Sequence, residues 1–253
     1  VWSLRFGIWI FYMRWSMVID LDKCVGCQGC SIACRFENNT PVVKPDEAIK
    51  GRAIRWNDVF PLPINPNEES GEYPNVKTHY LTRPCMHCDN PPCVKVCPVQ
   101  ATYKDEEGLV RQNYARCIGC RFCTVACPYG VRYFNWYAPE WEGTLTEYLN
   151  PDRVEGQGDL EGPALRPKGV VEKCTFCIHR MQKARARAEA EGRAFRADEY
   201  VPACVETCTG KARFFGDLDD PHSTVSMLAV SPRACRLLED VGTHPKVIYL
   251  REG

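Results

Sequence analysis

Sixteen of the seventeen cysteines in this sequence fall into four groups of four. Cys24, Cys27, Cys30 and Cys34 read C-x-x-C-x-x-C-x-x-x-C, and Cys117, Cys120, Cys123 and Cys127 repeat the pattern with Pro128 behind them. Cys85, Cys88, Cys93 and Cys97 read C-x-x-C-x-x-x-x-C-x-x-x-C, again followed by a proline, Pro98. Cys174 and Cys177 form a C-x-x-C whose partners, Cys204 and Cys208, lie beyond a long insert. Three thiolates on one short turn converge on a single iron–sulfur cubane, and the fourth reaches a second one. Four such groups imply four [4Fe-4S] clusters in a chain that conducts electrons.

Two other chemistries use many cysteines. Disulfide frameworks belong mostly to short secreted chains that lack a sufficient core, and this chain has 253 residues. Structural zinc usually pairs two separated C-x-x-C knuckles into a tetrahedron. A third cysteine three residues on, then a C-P, serves a cubane better. Cys235 stands outside every group and reads as a small buried hydrophobe without a ligand role.

Thirty-two basic and thirty-two acidic residues cancel, so no global field points to nucleic acid. No G-x-G-x-x-G occurs, and no acid–base pair or nucleophile suggests chemistry on a substrate of the chain's own. The expectation is a non-catalytic electron-transfer subunit. Much of its folding free energy should come from the clusters, because metal binding and folding are coupled. The first nineteen residues are strongly apolar, but Arg5 and Arg14 interrupt them, leaving an uncharged run too short to span a bilayer. Two readings are open for residues 1–16: an extension upstream of a start at Met17, or an aromatic segment lying on a membrane or a membrane subunit.

Each cysteine group needs a frame. A β-type run precedes each one, at Met17–Leu21, Lys77–Thr82, Leu109–Asn113 and Gly169–Glu172. A short helical stretch follows, as at Ile32–Phe36 and Thr124–Cys127, and a further strand-like run closes the unit at Arg132–Asn135 and Ala212–Phe215. Strand, cluster loop, helix and strand make the ferredoxin half-unit, two of which build a two-cluster domain. The fold class predicted is α+β, with two ferredoxin-like two-cluster domains related by pseudo-symmetry. Residues 17–40 with 169–220 form the first, and residues 77–135 the second. Residues 41–76 and 136–168 read as irregular inserts, the latter holding Gly156-Gln157-Gly158, and 221–253 as a C-terminal strap ending in a β-type run at Lys246–Arg251. From Met181 a run dense in strong helix formers predicts a helix that Gly192 stops, its charges forming a solvated face.

These motifs resemble the four-cluster iron–sulfur subunits of membrane-bound molybdopterin oxidoreductases: polysulfide, thiosulfate, dimethyl sulfoxide, tetrathionate and arsenate reductases, and sulfite dehydrogenases. The matching stretches are M-V-I-D-L-D-K-C-V-G-C-Q-G-C-S-I-A-C from Met17, P-C-M-H-C-D-N-P-P-C-V-K-V-C-P from Pro84, C-I-G-C-R-F-C-T-V-A-C-P-Y-G-V-R from Cys117, E-K-C-T-F-C-I-H-R from Glu172 and G-D-L-D-D-P from Gly216. The resemblance implies that the first group pairs with the fourth and the second with the third. One cluster then takes Cys24, Cys27, Cys30 and Cys208, and its neighbour Cys174, Cys177, Cys204 and Cys34. Cys85, Cys88 and Cys93 join Cys127, while Cys117, Cys120 and Cys123 join Cys97. It also implies two partners, a molybdopterin-containing catalytic subunit near the Cys24 cluster and an integral membrane quinone-binding subunit near the Cys117 cluster. The chain would then be a peripheral, membrane-associated subunit, on either side of the membrane. The same wire could instead serve a multihaem cytochrome reductase, a hydrogenase or a quinol-oxidising complex. A zinc-stabilised interaction module is the remote alternative.

Some relatives, such as nitrate reductase, carry tryptophan at the position of Cys120 and hold a three-iron cluster there. Here the cysteine is intact. Thr209 rather than proline follows Cys208, and Arg35 follows Cys34, so the crossing ligands of one half depart from the pattern. Lys23, Arg116 and Lys173 each precede the first cysteine of a group. A nearby cation favours the more negative, reduced cluster, as would backbone N–H groups at Gly26, Gly29 and Gly119; the competing reading is solvated, screened surface charge. His87 and His179 read as hydrogen-bonding or packing residues, since four thiolates are already present in each group.

Overall fold

The computed structural model describes residues 2–5, 8–11, 13–62, 78–138, 149–150 and 166–251. The Gly156-Gln157-Gly158 run lies outside them. Strands β1 (Trp2–Arg5) and β2 (Ile8–Phe11) pair antiparallel. Strand β3 (Trp15–Asp20) follows, two residues upstream of the expected start, and all six of its residues are buried. The first cysteine loop then feeds α1 (Gly29–Glu37).

The segment expected to be an irregular insert is ordered on both sides of Ile54 and Trp56, which are themselves buried. It carries α2 (Pro45–Ile49) and β4 (Asn57–Pro61), and β4 pairs antiparallel with β5 (Tyr80–Pro84). Pro45 suits the first helical turn, where its missing N–H has no partner to lose. The second and third cysteine groups carry α3 (Pro92–Lys95), the hairpin of β6 (Thr102–Lys104) and β7 (Val110–Gln112), and α4 (Phe122–Ala126). Strand β8 (Tyr133–Phe134) pairs with β9 (Val171–Glu172), bringing the chain back to the fourth group.

Helix α5 (Ile178–Ala190) begins directly at the Cys177 loop, three residues before the expected start, and buries Ile178, Met181 and Ala188. It stops at Gly192, whose φ of +66° permits the left-handed turn. Its charges are not all solvated: Arg180 grips Glu37 at 2.7 Å and Arg185 pairs with Glu107. Helix α6 (Ala203–Glu206), strand β10 (Arg213–Asp217), helix α7 (Thr224–Ala229), strand β11 (Ala234–Cys235) and strand β12 (Val247–Leu250) complete the order.

The C-terminal segment is built into the central sheet. Strand β12 is an interior strand of a four-stranded sheet ordered β10-β3-β12-β11, parallel to β3 and paired Val247 to Met17. Two buried faces explain why Met17–Ile19 of β3 and all of β12 are apolar on successive residues. Trp15, Met17, Ile19, Val247 and Tyr249 face the cysteines, whereas Val18, Ile248 and Leu250 pack under Val225 of α7. Trp15 stacks on Phe215 at 5.3 Å between ring centres and meets Tyr200 edge-on at the same distance. The same segment reaches the second cysteine group, where Lys246 N–H donates to the Met86 carbonyl and Asp89 N–H to that of His244. One hydrophobic core therefore contains cysteines from the first, second and fourth groups together.

Candidate metal centres

The first cysteine loop turns through Gly26 at φ +68° and Gln28 at φ +60°. A side chain at Gly26 would meet the Tyr80 ring at 2.6 Å. The loop closes against the far end of the chain: Gly210 packs so tightly on the Lys23 carbonyl that a Cβ would collide with it. Cys24, Cys27, Cys30 and Cys208 thereby line one small cavity. Ala212 N–H donates to Cys208 Sγ at 3.3 Å, and Asn57 Nδ2 to Cys30 Sγ at 3.2 Å. Thr209, standing where the family pattern has proline, places its hydroxyl 3.6 Å from Cys27 Sγ.

Cys34 points the other way from α1, toward Cys174, Cys177 and Cys204. Asn38 Nδ2 lies 3.7 Å from both Cys34 Sγ and Cys177 Sγ, and Phe176 N–H donates to Cys174 Sγ at 3.4 Å. A second small cavity is lined by Cys85, Cys88, Cys93 and Cys127. Cys123 faces Cys117 and also Cys93 across the helices α3 and α4. Cys97 accepts from Thr102 N–H at 3.4 Å. Gly119 turns this loop at φ +68° so closely against the Gly169 carbonyl that no side chain fits. Cys120 is exposed, as is Cys27. Cys235 stands apart, half-buried, with Arg251 Nε donating to its sulfur at 3.1 Å.

These thiols sit in an environment that resists charge until a metal enters. Burial pushes Cys34 well above the usual thiol range and raises Cys88 and Cys174 to about 12, with neighbouring thiols adding to the effect. Cys27 runs the other way, lowered first by the Gly29 N–H and then by Thr209. Metal binding must therefore displace protons at most positions. Among the described residues no three His, Cys, Asp or Glu side chains close around a single ion. In a cubane each thiolate binds its own iron, so its sulfurs stand farther apart than around one zinc.

Three buried cations lie among the thiols, and nothing in the sequence around two of them marks their role. Lys173, Arg213 and Arg132 are at most 6% exposed, and none pairs with a carboxylate among the described residues. Lys173 Nζ donates to the Cys174 carbonyl at 2.7 Å; Arg213 Nη2 donates to Asn57 Oδ1 at 2.7 Å; Arg132 Nη2 donates to Thr102 and Gln112 oxygens. Nε and Nη1 of Arg132 reach no oxygen and face the thiols of Cys93, Cys123, Cys85 and Cys127. Isolated buried charge is costly, so these side chains fit anionic, thiolate-bound clusters as their counter-charge. Lys23 and Arg116, at the equivalent sequence position to Lys173, are exposed.

His87 is fully buried beside the fourth group although it belongs to the second. Its Nδ1 accepts from Val110 N–H at 3.2 Å, which leaves the proton on Nε2 to donate to the Cys174 carbonyl at 3.1 Å. Its ring stacks on Phe176 at 4.0 Å. His179 instead meets Glu37 at 2.6 Å. Both histidines are engaged in hydrogen bonds.

Grouped thiols, N–H donors to sulfur and unpaired buried cations define an iron–sulfur electron carrier. Residues 76–148 match a family model described as a 4Fe-4S dicluster domain. The iron–sulfur cluster-binding subunit of menaquinone reductase from Nitratidesulfovibrio vulgaris is 46% identical, over 95% of this chain and 89% of that protein. The arsenate respiratory reductase iron–sulfur subunit from a Shewanella species is 40% identical, over 94% of this chain and 97% of that protein. A selenate reductase subunit from Mesobacillus selenatarsenatis is 41% identical, over 94% of this chain and 72% of that protein. The chain belongs to this family of [4Fe-4S] iron–sulfur subunits and is an electron-transfer protein.

Proposed function

We propose that the chain relays single electrons through four [4Fe-4S] clusters, between a molybdopterin-containing catalytic subunit and a membrane quinone-reactive subunit. The clusters, when bound, supply one-electron redox chemistry. The protein's residues hold them, keep water away and set their potentials. The proposed ligand sets are those of the crossed pairing. Cys24, Cys27, Cys30 and Cys208 form the first, and Cys34, Cys174, Cys177 and Cys204 the second. Cys85, Cys88, Cys93 and Cys127 form the third, and Cys97, Cys117, Cys120 and Cys123 the fourth. Residues 17–40 with 169–220, and residues 77–135, would be the two pseudo-symmetric ferredoxin-like halves, with residues 1–16, 41–76, 136–168 and 221–253 as additions.

The observation that carries this reading is the exposure of two thiols in different outer sets. Cys27 and Cys120 are exposed, with exposed apolar side chains close to them in sequence: Val25 by the former, and Ile118, Phe122 and Val125 by the latter. The inner sets are largely buried. A wire needs two open ends where partners dock and an insulated middle. No helix among the described residues is long and apolar enough to cross a membrane, which suits a peripheral subunit carried by a membrane partner.

The relative at 46% identity is named for menaquinone reductase, which supports a quinone at one end. Purification of the complex from its native source tests the partners. Stoichiometric molybdenum and an integral membrane subunit are expected; covalent haem without molybdenum would favour a multihaem cytochrome partner instead. Serine at Ile118, Phe122 and Val125 together should weaken the membrane partner's association while leaving iron content unchanged.

A further inference from the structure

The three buried cations are not scattered. Resting on the ligand sets proposed above, each lies where two neighbouring sets meet. Arg213 faces Cys30 and Cys208 of one set and Cys204 of the next. Lys173 faces Cys174 of that second set and Cys85 and Cys93 of the third. Arg132 faces Cys85, Cys93 and Cys127 of the third set and Cys123 of the fourth. Four sets in a row have three junctions, and each junction holds one cation.

Each is also built in. Lys173 has no solvent exposure, and the Cys174 carbonyl that it grips also accepts from His87 Nε2. His87 lies between Cys85 and Cys88, so one carbonyl ties the two halves together at this junction. Arg213 is held by Asn57 Oδ1, and its Nη1 rests 3.5 Å from Met17 Sδ. Arg132 is fixed by Thr102 and Gln112. All these contacts are to neutral atoms, so the positive charge is left for the clusters.

We infer that Arg213, Lys173 and Arg132 are junction cations, each raising the reduction potentials of the two clusters on either side of it together. Transfer along the wire moves one electron from a reduced cluster to its oxidised neighbour, with no bond or proton moved. Both clusters are anions in either state, and an electron arriving beside a reduced neighbour meets repulsion. A cation shared by the pair offsets part of that cost at both clusters and lifts the two potentials by similar amounts, whereas a surface cation such as Lys23 is screened by water and salt.

The test is an EPR-monitored redox titration of the full chain with its clusters, comparing wild type with Lys173→Gln, Lys173→Met, Lys173→Arg and Arg132→Met. Gln retains a donor for the Cys174 carbonyl without the charge; Arg retains the charge. Wild-type protein with four reducible cubanes validates the underlying reading. In Lys173→Gln and Lys173→Met, two of the four midpoints should fall by at least a tenfold change in reduction equilibrium, about 59 mV for one electron. Lys173→Arg should restore them. Arg132→Met should also lower two midpoints, sharing one cluster with the Lys173 variants. A change in one midpoint, in none, or equally in all four would overturn the inference, as would Lys173 and Arg132 variants that move separate pairs. Loss of iron from Lys173→Arg as well as from the uncharged variants would also overturn it, since a purely structural role is then sufficient.

Discussion

Asn57 comes from a segment that reads as loop, yet its amide links a thiol to a buried guanidinium. Nδ2 donates to Cys30 Sγ at 3.2 Å and Oδ1 accepts from Arg213 Nη2 at 2.7 Å. Asn57→Leu keeps the volume and removes both bonds, together with the 3.3 Å bond from Nδ2 to Ser31 Oγ. The N–H···S bond strengthens when the cluster is reduced, because the added charge spreads onto sulfur. A net hydrogen bond is worth about 0.5–1.5 kcal/mol. If most of that favours the reduced form, one cluster potential should fall by about 20–65 mV, using about 59 mV per tenfold change. Separately, leaving Arg213 short of an acceptor should cost about 1–3 kcal/mol. For a chain of this size that lowers the thermal midpoint of cluster loss by roughly 2–12 °C. The assay is an EPR-monitored titration beside a thermal scan of visible absorbance. An upward shift, no shift within about 10 mV on that same scale, or equal shifts in all four clusters would refute the reasoning.

Other outcomes follow from the same geometry. Lys23→Gln, by contrast with Lys173, should leave every potential within about 15 mV of wild type, because an exposed charge over the Phe214 ring is screened; a larger fall by redox titration would contradict this. Gly119→Ala forces a positive-φ alanine against the Gly169 carbonyl, so iron content should drop by about four atoms per chain, one cubane, with the other three signals retained. Burial alone would raise the Glu37 carboxyl, but hydrogen bonds from His179 and Arg180 hold it down at about 2. A carboxyl lowered on folding contributes stability above its unfolded value of about 4.3 and loses it as pH falls toward the folded value. The stability gap between wild type and Glu37→Gln, measured by denaturant titration, should therefore be full at neutral pH and close progressively below about pH 4.3. Chelation of the iron under reducing conditions should unfold the chain cooperatively, seen as loss of hydrogen-exchange protection in β3 and β12, since apo protein would bury three uncompensated cations.

The cysteine groups and the runs around them were legible because spacing is local. A strand near Met17, helices around the third cysteine of the first and third groups, and the Gly192 stop all follow from neighbours in sequence. What escaped depended on distant partners. Lys23, Arg116 and Lys173 occupy the same place before a first cysteine, and only the fold decides that one is buried and two are wet. Arg132 and Arg213 read as ordinary strand residues, since nothing local shows that their heads turn inward to thiols. Strand β4 hides in a proline- and asparagine-rich stretch because its register is set by β5, not by its own propensity. The C-terminal run reads as strand, but its place inside the central sheet does not show in its own residues. Its parallel pairing with β3 joins opposite ends of the chain, a contact no local pattern encodes.

The most direct measurement is iron, acid-labile sulfide and zinc on anaerobically purified protein, together with EPR before and after dithionite. Four cubanes predict about sixteen iron and sixteen sulfide per chain, a brown colour and overlapping signals from interacting reduced clusters. A colourless protein carrying stoichiometric zinc, or about eight iron with no further EPR signal on reconstitution, would contradict the account.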